Sequence, residues 1–352
     1  MTKKLIHSAQ LFDGSTLTPN SWALLDSHSA VTGQGDSWQQ HQAGAEVING
    51  KNQVLLSSLF DTHCHGAMGH AAQSGLEGML ATLDFNHSNG AGVSLLSLVS
   101  AAPSDVIDLC EQALELSDDP RFLGLHLEGP YIAQSKRGAH NPEIIGPPTT
   151  SDLKTIASFE SVRSITIAPE LFETSQVDIL QDAGIKLCFG HSDAGYEKSL
   201  EFFTRYPDAV MTHAFNGMHG IHHRAPGPIP AAIETGVSIE LIADGIHVLP
   251  AAAMLLPSKK LILITDAMEA TGMPDGDYQL GSMVAHVTDG VARTDSGSLA
   301  GSTLVLKDAV ANYAAWSNDP LAALKAATTN PAATYEAKLP ELSLGNHLLI
   351  DF

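Results

Sequence analysis

The stretch LFDTHCHGAMGH, residues 59–70, passes from an apolar run into two histidines that flank a cysteine. Successive side chains of a strand point to opposite faces, so His63 and His65 share one face and Cys64 takes the other. The same pattern, a short apolar run that ends in polar or charged residues, recurs along the chain. We count eight such runs, at residues 54–63, 93–100, 122–129, 164–170, 186–192, 210–217, 238–245 and 261–267.

Segments of helical length separate the eight runs. Examples are PSDVIDLCEQALELSDD (103–119) after the second run and SQVDILQDAG (175–184) after the fourth. Eight strands that alternate with helices predict an α/β fold, the (β/α)8 TIM-type barrel. We assign the barrel to residues 55–337.

Both ends of the chain carry strand-like segments outside this alternation. Residues 1–54 alternate short apolar stretches with turn residues, which predicts a small antiparallel sheet, and residues 342–352 are strand-like again. We therefore expect a small β-sandwich domain built from both termini, residues 1–54 and 338–352. After the eighth run, residues 278–297 predict a β excursion and 302–316 a closing helix.

The charge balance restricts the possible partners. The chain has 39 acidic residues against 18 Lys and Arg, a net charge of −21 at pH 7. We expect neither nucleic acid nor a membrane as a partner, since both are anionic. An anionic substrate must then be held by a few placed cations or by backbone N–H groups. Three scattered cysteines and a start without the apolar core of a signal peptide favour a soluble cytoplasmic protein.

The active site of such a barrel is built at the carboxyl ends of its strands. Six candidate side chains stand there: His63, His65, Glu128, His191, His213 and Asp266. Converging buried polar groups need a common partner, and these ligand types suit zinc, iron or cobalt, with manganese a further alternative, better than magnesium. We expect one or two divalent ions per subunit.

The six side chains divide into three groups by their expected role. One ion could use Glu128, His191 and His213. A second could use His63 and His65, with Glu128 as a bridge. Asp266 would then take the proton of a metal-activated water and pass it to a leaving amine.

Five motifs resemble the metal-dependent amidohydrolase superfamily in order and spacing: DTHCHG (61–66), HLEGP (126–130), GHS (190–192), THAFNGMH (212–219) and TDA (265–267). Many members carry a carboxylated lysine at the end of strand four, but this chain has IAPE (167–170) there, which leaves the bridge to Glu128. That arrangement, together with HLEGPYIAQSKRGAHNP (126–142), ADGIHV (243–248) and LAGSTL (299–304), resembles the N-acetylglucosamine-6-phosphate deacetylase family.

The resemblance implies hydrolysis of N-acetylglucosamine 6-phosphate to glucosamine 6-phosphate and acetate by metal-activated hydroxide, in amino-sugar catabolism. It implies Asp266 as general base and acid and His140 as the group that polarises the amide carbonyl. It also implies an amino-sugar phosphate site at Ala139, His140, Asn216, Gly217, Arg224, His247, Leu299, Ala300 and Gly301. In the family, the phosphate cation, here Arg224, can reach in from a neighbouring subunit, which implies a homodimer.

Two alternatives stay open. The protein could be another amidohydrolase, acting on a different N-acyl substrate or a cyclic amide, or a non-catalytic sugar-phosphate binder on a barrel scaffold. By its spacing alone, Arg224 in the turn-rich HHRAPG (222–227) is a solvated loop residue.

Overall fold

A parallel eight-stranded barrel forms the centre of the protein. The computed structural model describes residues 3–352, and each barrel strand pairs with the next one along the chain. At the seam between the first and eighth strands, the Asp266 N–H donates to the His63 carbonyl at 2.8 Å and the His65 N–H donates to the Ala267 carbonyl at 2.7 Å. The predicted (β/α)8 barrel is confirmed. Its strands are Leu59–Cys64, Ala91–Val99, Phe122–Glu128, Val162–Ile167, Lys186–Phe189, Val210–Met211, Ser238–Ile242 and Leu261–Ile264.

Helices connect the strands, and local sequence explains where they begin and end. The Thr149 side chain accepts a hydrogen bond from the Asp152 N–H and so caps one helix, while Gly236 ends another in a left-handed conformation with φ of 70°. The helices predicted in 103–119 and 175–184 are present. The α-helices are Leu76–Ser88, Pro103–Ala113, Thr150–Ile156, Thr174–Asp182, Tyr196–Arg205, Pro228–Thr235, Pro250–Ala253, Leu306–Ser317, Pro320–Ala326 and Thr329–Thr334.

Apolar faces of these helices pack against the outside of the barrel. The helix Tyr196–Arg205 buries Phe202 and Phe203, whose rings lie 5.9 Å and 5.1 Å from the ring of Phe189 on the fifth strand. A buried Phe contributes roughly 1.5–3 kcal/mol by its transfer from water. Such contacts fix the barrel strands, and thereby the side chains at their carboxyl ends.

Beneath the carboxyl ends, polar side chains fill much of the barrel interior. The Thr62 hydroxyl donates to Glu240 at 2.8 Å, and Thr166 Oγ1 lies 2.8 Å from both His126 Nε2 and Thr212 Oγ1. Barrel interiors are usually packed with branched apolar residues. This polar layer lies directly below the rim and was not predicted from the sequence.

Both chain ends meet in one six-stranded sheet, as predicted. The C-terminal strand Leu348–Ile350 pairs antiparallel with Val54–Leu56. The expectation of antiparallel pairing throughout residues 1–54 is wrong in part. Lys3–Phe12 pairs parallel with Ala45–Asn49 and with Val54–Leu56, because the chain crosses over and returns to the same edge of its first strand. The remaining strands are Leu17–Leu25 and Ala30–Gln34.

The terminal sheet has a small core of its own. Ile6, Leu25 and Leu55 are buried there, with Leu342 and Leu344 packed against them. The division of the chain into domains at 54/55 and 337/338 stays a prediction. The strand Val54–Leu56 crosses the first of these two boundaries.

The β excursion predicted for residues 278–297 is a three-stranded sheet that begins two residues earlier: Gly276–Leu280, Met283–Thr288 and Val291–Arg293. Its apolar face packs on Val99, Met268 and Ala300, so it covers one side of the barrel mouth. A short pair, Gly66–Ala67 with His70–Ala71, lies after the first strand. Within residues 3–352, no helix combines the length and apolar character that a membrane crossing requires.

Candidate active site

Glu128, the last residue of the third barrel strand, lies at the centre of the rim. Its Oε1 lies 2.8 Å from His213 Nε2 and 3.1 Å from His191 Nε2. Those two imidazole nitrogens are 3.1 Å apart. The structure thus brings together the three side chains expected to hold one ion.

The His63 and His65 side chains complete the cluster around Glu128. Their Nε2 atoms are 3.2 Å apart, and His65 Nε2 lies 3.3 Å from Glu128 Oε2. Asp266 Oδ1 lies 3.1 Å from His65 Nε2 and 3.5 Å from His63 Nε2. Asp266 is therefore adjacent to the His-x-His pair.

Hydrogen bonds assign the tautomers of two of these histidines. His65 Nδ1 lies 3.2 Å from the Ser97 carbonyl, and His191 Nδ1 lies 2.7 Å from the Lys136 carbonyl. A carbonyl only accepts, so each Nδ1 carries a proton, and in the neutral ring Nε2 then has the lone pair. Both lone pairs point toward Glu128, which is the arrangement of a metal-ligating histidine.

His140 has the opposite tautomer. The Ser100 N–H donates to His140 Nδ1 at 3.3 Å, and Ser100 Oγ lies 2.8 Å from the same nitrogen. Nδ1 is therefore the acceptor and Nε2 carries the proton, 3.4 Å from Glu128 Oε2. Burial lowers the pKa of His140, which keeps the ring neutral. His140 is close enough to Glu128 and His191 to join a ligand group, but its proton suits donation to a carbonyl oxygen rather than ligation.

The two rim carboxylates are ionised. Burial alone would raise the pKa of Glu128 and of Asp266, but the nearby His63 and hydrogen bonds from the other histidines outweigh it and lower both. The two carboxylates in turn change the pKa of His65. Burial lowers the pKa of His65, yet hydrogen bonds to Asp266 and Glu128 raise it to about 10. Two ionised carboxylates buried this close together need positive charge beside them. A divalent metal ion held by these histidines and carboxylates would supply it.

Three rim residues have a backbone conformation that side chains rarely adopt. The φ angles of His191, His213 and Asp266 are 47°, 27° and 50°. Each such residue costs of order 1–3 kcal/mol, and such strain is common at functional sites. Gly217 also has a positive φ, 59°, and a Cβ there would lie 2.8 Å from His191 Nδ1. Only glycine fits this position without displacing the histidine.

A cavity of about 300 Å³ lies above the cluster. The cavity is lined by Asp266, His140 and the other side chains of the cluster except His63. His63 is fully buried beneath them. The predicted substrate residues that also line the cavity are Ala139, Asn216, Gly217, His247, Leu299 and Gly301, and the unpredicted ones are Gly138, Phe215, Leu280 and Ser298.

Two predicted substrate residues do not reach the cavity. Ala300 is 1% exposed and packs with Met268 behind the wall. Arg224 is exposed, and its Nη1 lies 2.7 Å from His223 Nε2. Among residues 3–352, no Lys or Arg side chain lines the cavity. One subunit alone therefore does not bring the predicted phosphate cation to the site.

Several supporting residues were not found from the sequence. Asp244 Oδ2 lies 2.6 Å from His247 Nδ1, and the i, i+3 spacing within ADGIHV was the available signal. Asp61 accepts from the Thr265 hydroxyl at 2.6 Å and from the His63 N–H at 3.2 Å, and burial raises the pKa of Asp61 to about 6. Its alternation with His63 along the strand could have indicated it.

Known proteins are similar in sequence to this chain over most of its length. N-acetylgalactosamine-6-phosphate deacetylase from Escherichia coli O157:H7 is 32% identical over 332 residues, 90% of this chain and 86% of that protein. N-acetylglucosamine-6-phosphate deacetylase from Vibrio furnissii is 34% identical over 281 residues, 76% of this chain and 70% of that protein. The chain belongs to the N-acetylglucosamine-6-phosphate deacetylase family.

Solved structures of this deacetylase family share the fold. A variant of N-acetyl-D-glucosamine-6-phosphate deacetylase from Mycobacterium smegmatis, in complex with N-acetyl-D-glucosamine-6-phosphate, superposes with a TM-score of 0.87 and 28% identity, over 100% of this chain and 96% of that chain. No protein-family model matches the chain. Membership in the deacetylase family makes the protein a hydrolase of the metal-dependent amidohydrolase superfamily.

Proposed function

We propose that the protein hydrolyses N-acetyl-D-glucosamine 6-phosphate to D-glucosamine 6-phosphate and acetate, in amino-sugar catabolism. One observation carries the proposal: an ionised carboxylate, Asp266, and a neutral imidazole donor, His140, both border the same His and Glu cluster at the floor of one cavity. Amide hydrolysis needs both a proton acceptor and a donor toward the carbonyl oxygen. The Vibrio furnissii relative supports the choice of substrate.

We assign the metal ligands to two positions. Glu128, His191 and His213 would hold one ion, and His63 and His65, with Glu128 as a bridge, a second. Zinc suits these donors, with iron, cobalt or manganese as alternatives. A divalent ion in such a site supplies a water of lowered pKa and polarises a carbonyl oxygen.

Asp266 and His140 do the proton chemistry. Asp266 is ionised before the reaction, so it accepts the proton of the attacking water and then donates it to the departing nitrogen. His140 donates its Nε2–H to the carbonyl oxygen as negative charge develops there. The Ser100 N–H holds the His140 tautomer that makes this donation possible.

In this proposal the sugar phosphate is bound by Asn216, Gly217, His247 and the 299–301 loop, with Ala139 beside them. His247 Nδ1 is engaged by Asp244, which leaves its other ring nitrogen for the ligand. For the phosphate we propose a homodimer in which Arg224 reaches the neighbouring subunit's cavity. The exposure of Arg224 and the lack of a cation along the cavity wall of the described chain support this arrangement.

We also propose a cytoplasmic location. The three cysteines, Cys64, Cys110 and Cys188, are buried and free, and free thiols are the norm in a reducing compartment.

The galactose epimer is a second candidate substrate. The Escherichia coli O157:H7 relative, an N-acetylgalactosamine-6-phosphate deacetylase, aligns with 90% of this chain. Steady-state acetate release should be measured with both 6-phosphates and with unphosphorylated N-acetylglucosamine. The proposal predicts the highest kcat/KM for the glucosamine derivative, and a preference for its epimer would contradict it. Equal rates with the unphosphorylated sugar would instead favour another amidohydrolase activity.

A further inference from the structure

Glu240 is a buried carboxylate that the proposed reaction does not use. It lies on the seventh barrel strand, inside the barrel below the rim, and is 1% exposed. Within the described chain, no Lys or Arg pairs with it. Its oxygens instead meet the first strand: Oε1 accepts the Thr62 hydroxyl at 2.8 Å, and Oε2 lies 3.5 Å from His63 Nδ1. A buried carboxylate is costly without partners, so these two contacts account for its place in the interior.

The His63 ring lies between Glu240 and the rim. Its Nδ1 is the nitrogen on the Glu240 side, while Nε2 lies 3.5 Å from Asp266 and 3.7 Å from Glu128. A carboxylate can only accept, so a bond to Glu240 places the imidazole proton on Nδ1 and the lone pair on Nε2. The face of the ring is also fixed. The His126 ring lies edge-on at 4.5 Å between centroids and is itself held by Thr166.

The other predicted histidine ligands are oriented differently. His65 and His191 bond backbone carbonyls, and His213 Nδ1 is buried without a partner among residues 3–352. Of these four, His63 is therefore the one whose Nδ1 faces the carboxyl group of another side chain. Carboxylate partners fix the tautomer of a ligating imidazole and raise its basicity.

We propose that Glu240 is a positioning residue that prepares His63 to bind the second metal ion. The proposal rests on the ligand assignment made under the proposed function. Occupancy of the His63–His65 position then depends on a side chain of the seventh strand, which the eighth strand separates from the first. Thr62 holds Glu240 in place and contributes to the same effect.

The test is the metal content and affinity of the purified, zinc-loaded protein. Elemental analysis gives ions per chain, and titration against a chromophoric chelator gives affinities. We expect two ions in the wild type. Glu240→Met, of similar volume, should weaken the second ion about 10–100-fold and leave the first unchanged. Glu240→Gln keeps an acceptor and should restore most of the affinity, while Thr62→Val should cause a smaller loss in the same direction.

A double-mutant cycle distinguishes positioning from a structural role. Adding Glu240→Met to His63→Ala should change metal binding no further, because Glu240 acts through His63. Circular dichroism and elution volume establish that each variant is folded, and the Gln and Thr62 variants carry the test if the Met variant does not fold.

Three results would overturn the proposal: one ion per chain in the saturated wild type, two ions of unchanged affinity in every Glu240 variant, or loss of the first ion as well. None of them requires turnover. Failure of the proposed function would be observed differently: the protein would bind two ions but release no acetate.

Discussion

The backbone N–H of Asp266 donates a hydrogen bond to the carbonyl oxygen of His63 at 2.8 Å. This bond belongs to the seam where the eighth barrel strand meets the first. At the same residue the backbone turns into a left-handed conformation, and the carboxylate comes within 3.1 Å of His65 Nε2. Closure of the barrel therefore sets the distance between the proposed proton-transfer group and the His-x-His pair.

Asp266→Asn should lower kcat by about 10²–10⁴-fold, because an amide cannot take the proton that the carboxylate accepts. Asn has nearly the same shape, so the metal content should stay at the wild-type value. Steady-state kinetics and elemental analysis on the same preparation check both parts. Near-normal turnover contradicts the role, and loss of metal would make Asp266 primarily a ligand.

His140→Ala should lower kcat by about 10²–10³-fold, the cost of removing one donor to a developing oxyanion. Its metal content should not change, because Ser100 places the proton on the nitrogen that faces Glu128. His28→Ala, at an exposed turn of the terminal sheet, is the matched control and should behave as wild type. If the His140 variant lost metal, the tautomer assignment would be wrong.

Gly217→Ala should weaken metal binding and activity together. The new methyl group would lie 2.8 Å from His191 Nδ1, at a residue whose φ of 59° already disfavours a side chain. Gly220→Ala is the control three residues away, where a Cβ meets nothing within 4 Å. Chelator titration of both variants gives the comparison, and equal affinities would show that the His191 contact is unimportant.

Arg224→Ala should raise KM for the phosphorylated substrate and leave kcat for the unphosphorylated sugar unchanged. Mixing this variant with Asp266→Asn, after exchange of subunits, tests the arrangement across the dimer. If Arg224 acts on the neighbouring site, a mixed dimer contains one intact site and activity reappears. If no activity returns although mixed dimers form, Arg224 acts within its own subunit or not at all.

The rim of the barrel could be predicted because each strand presents its polar residues at the same end. Period-two alternation placed His63 and His65 together, and the order of the runs gave the barrel. Alternation does not distinguish parallel from antiparallel partners, so the pairing of Lys3–Phe12 with Ala45–Asn49 was not foreseen.

Other features depend on contacts between distant strands or subunits. Glu240 was visible as an acid within the apolar run SIELIADG, but its contact with His63 joins residues 177 positions apart. Sequence spacing gives no such pairing. Arg224 resembles a solvated loop residue in the sequence and in one subunit alike, and only in the proposed dimer would it reach a cavity, that of another copy.

The most direct test of the account is acetate release from N-acetylglucosamine 6-phosphate by one preparation in three states: as purified, stripped of metal by a chelator, and reloaded with zinc. We expect acetate and free amine in equal amounts from the reloaded protein, and almost none after stripping. Unchanged activity in the stripped protein, or no acetate from protein with its metal content verified, would contradict it.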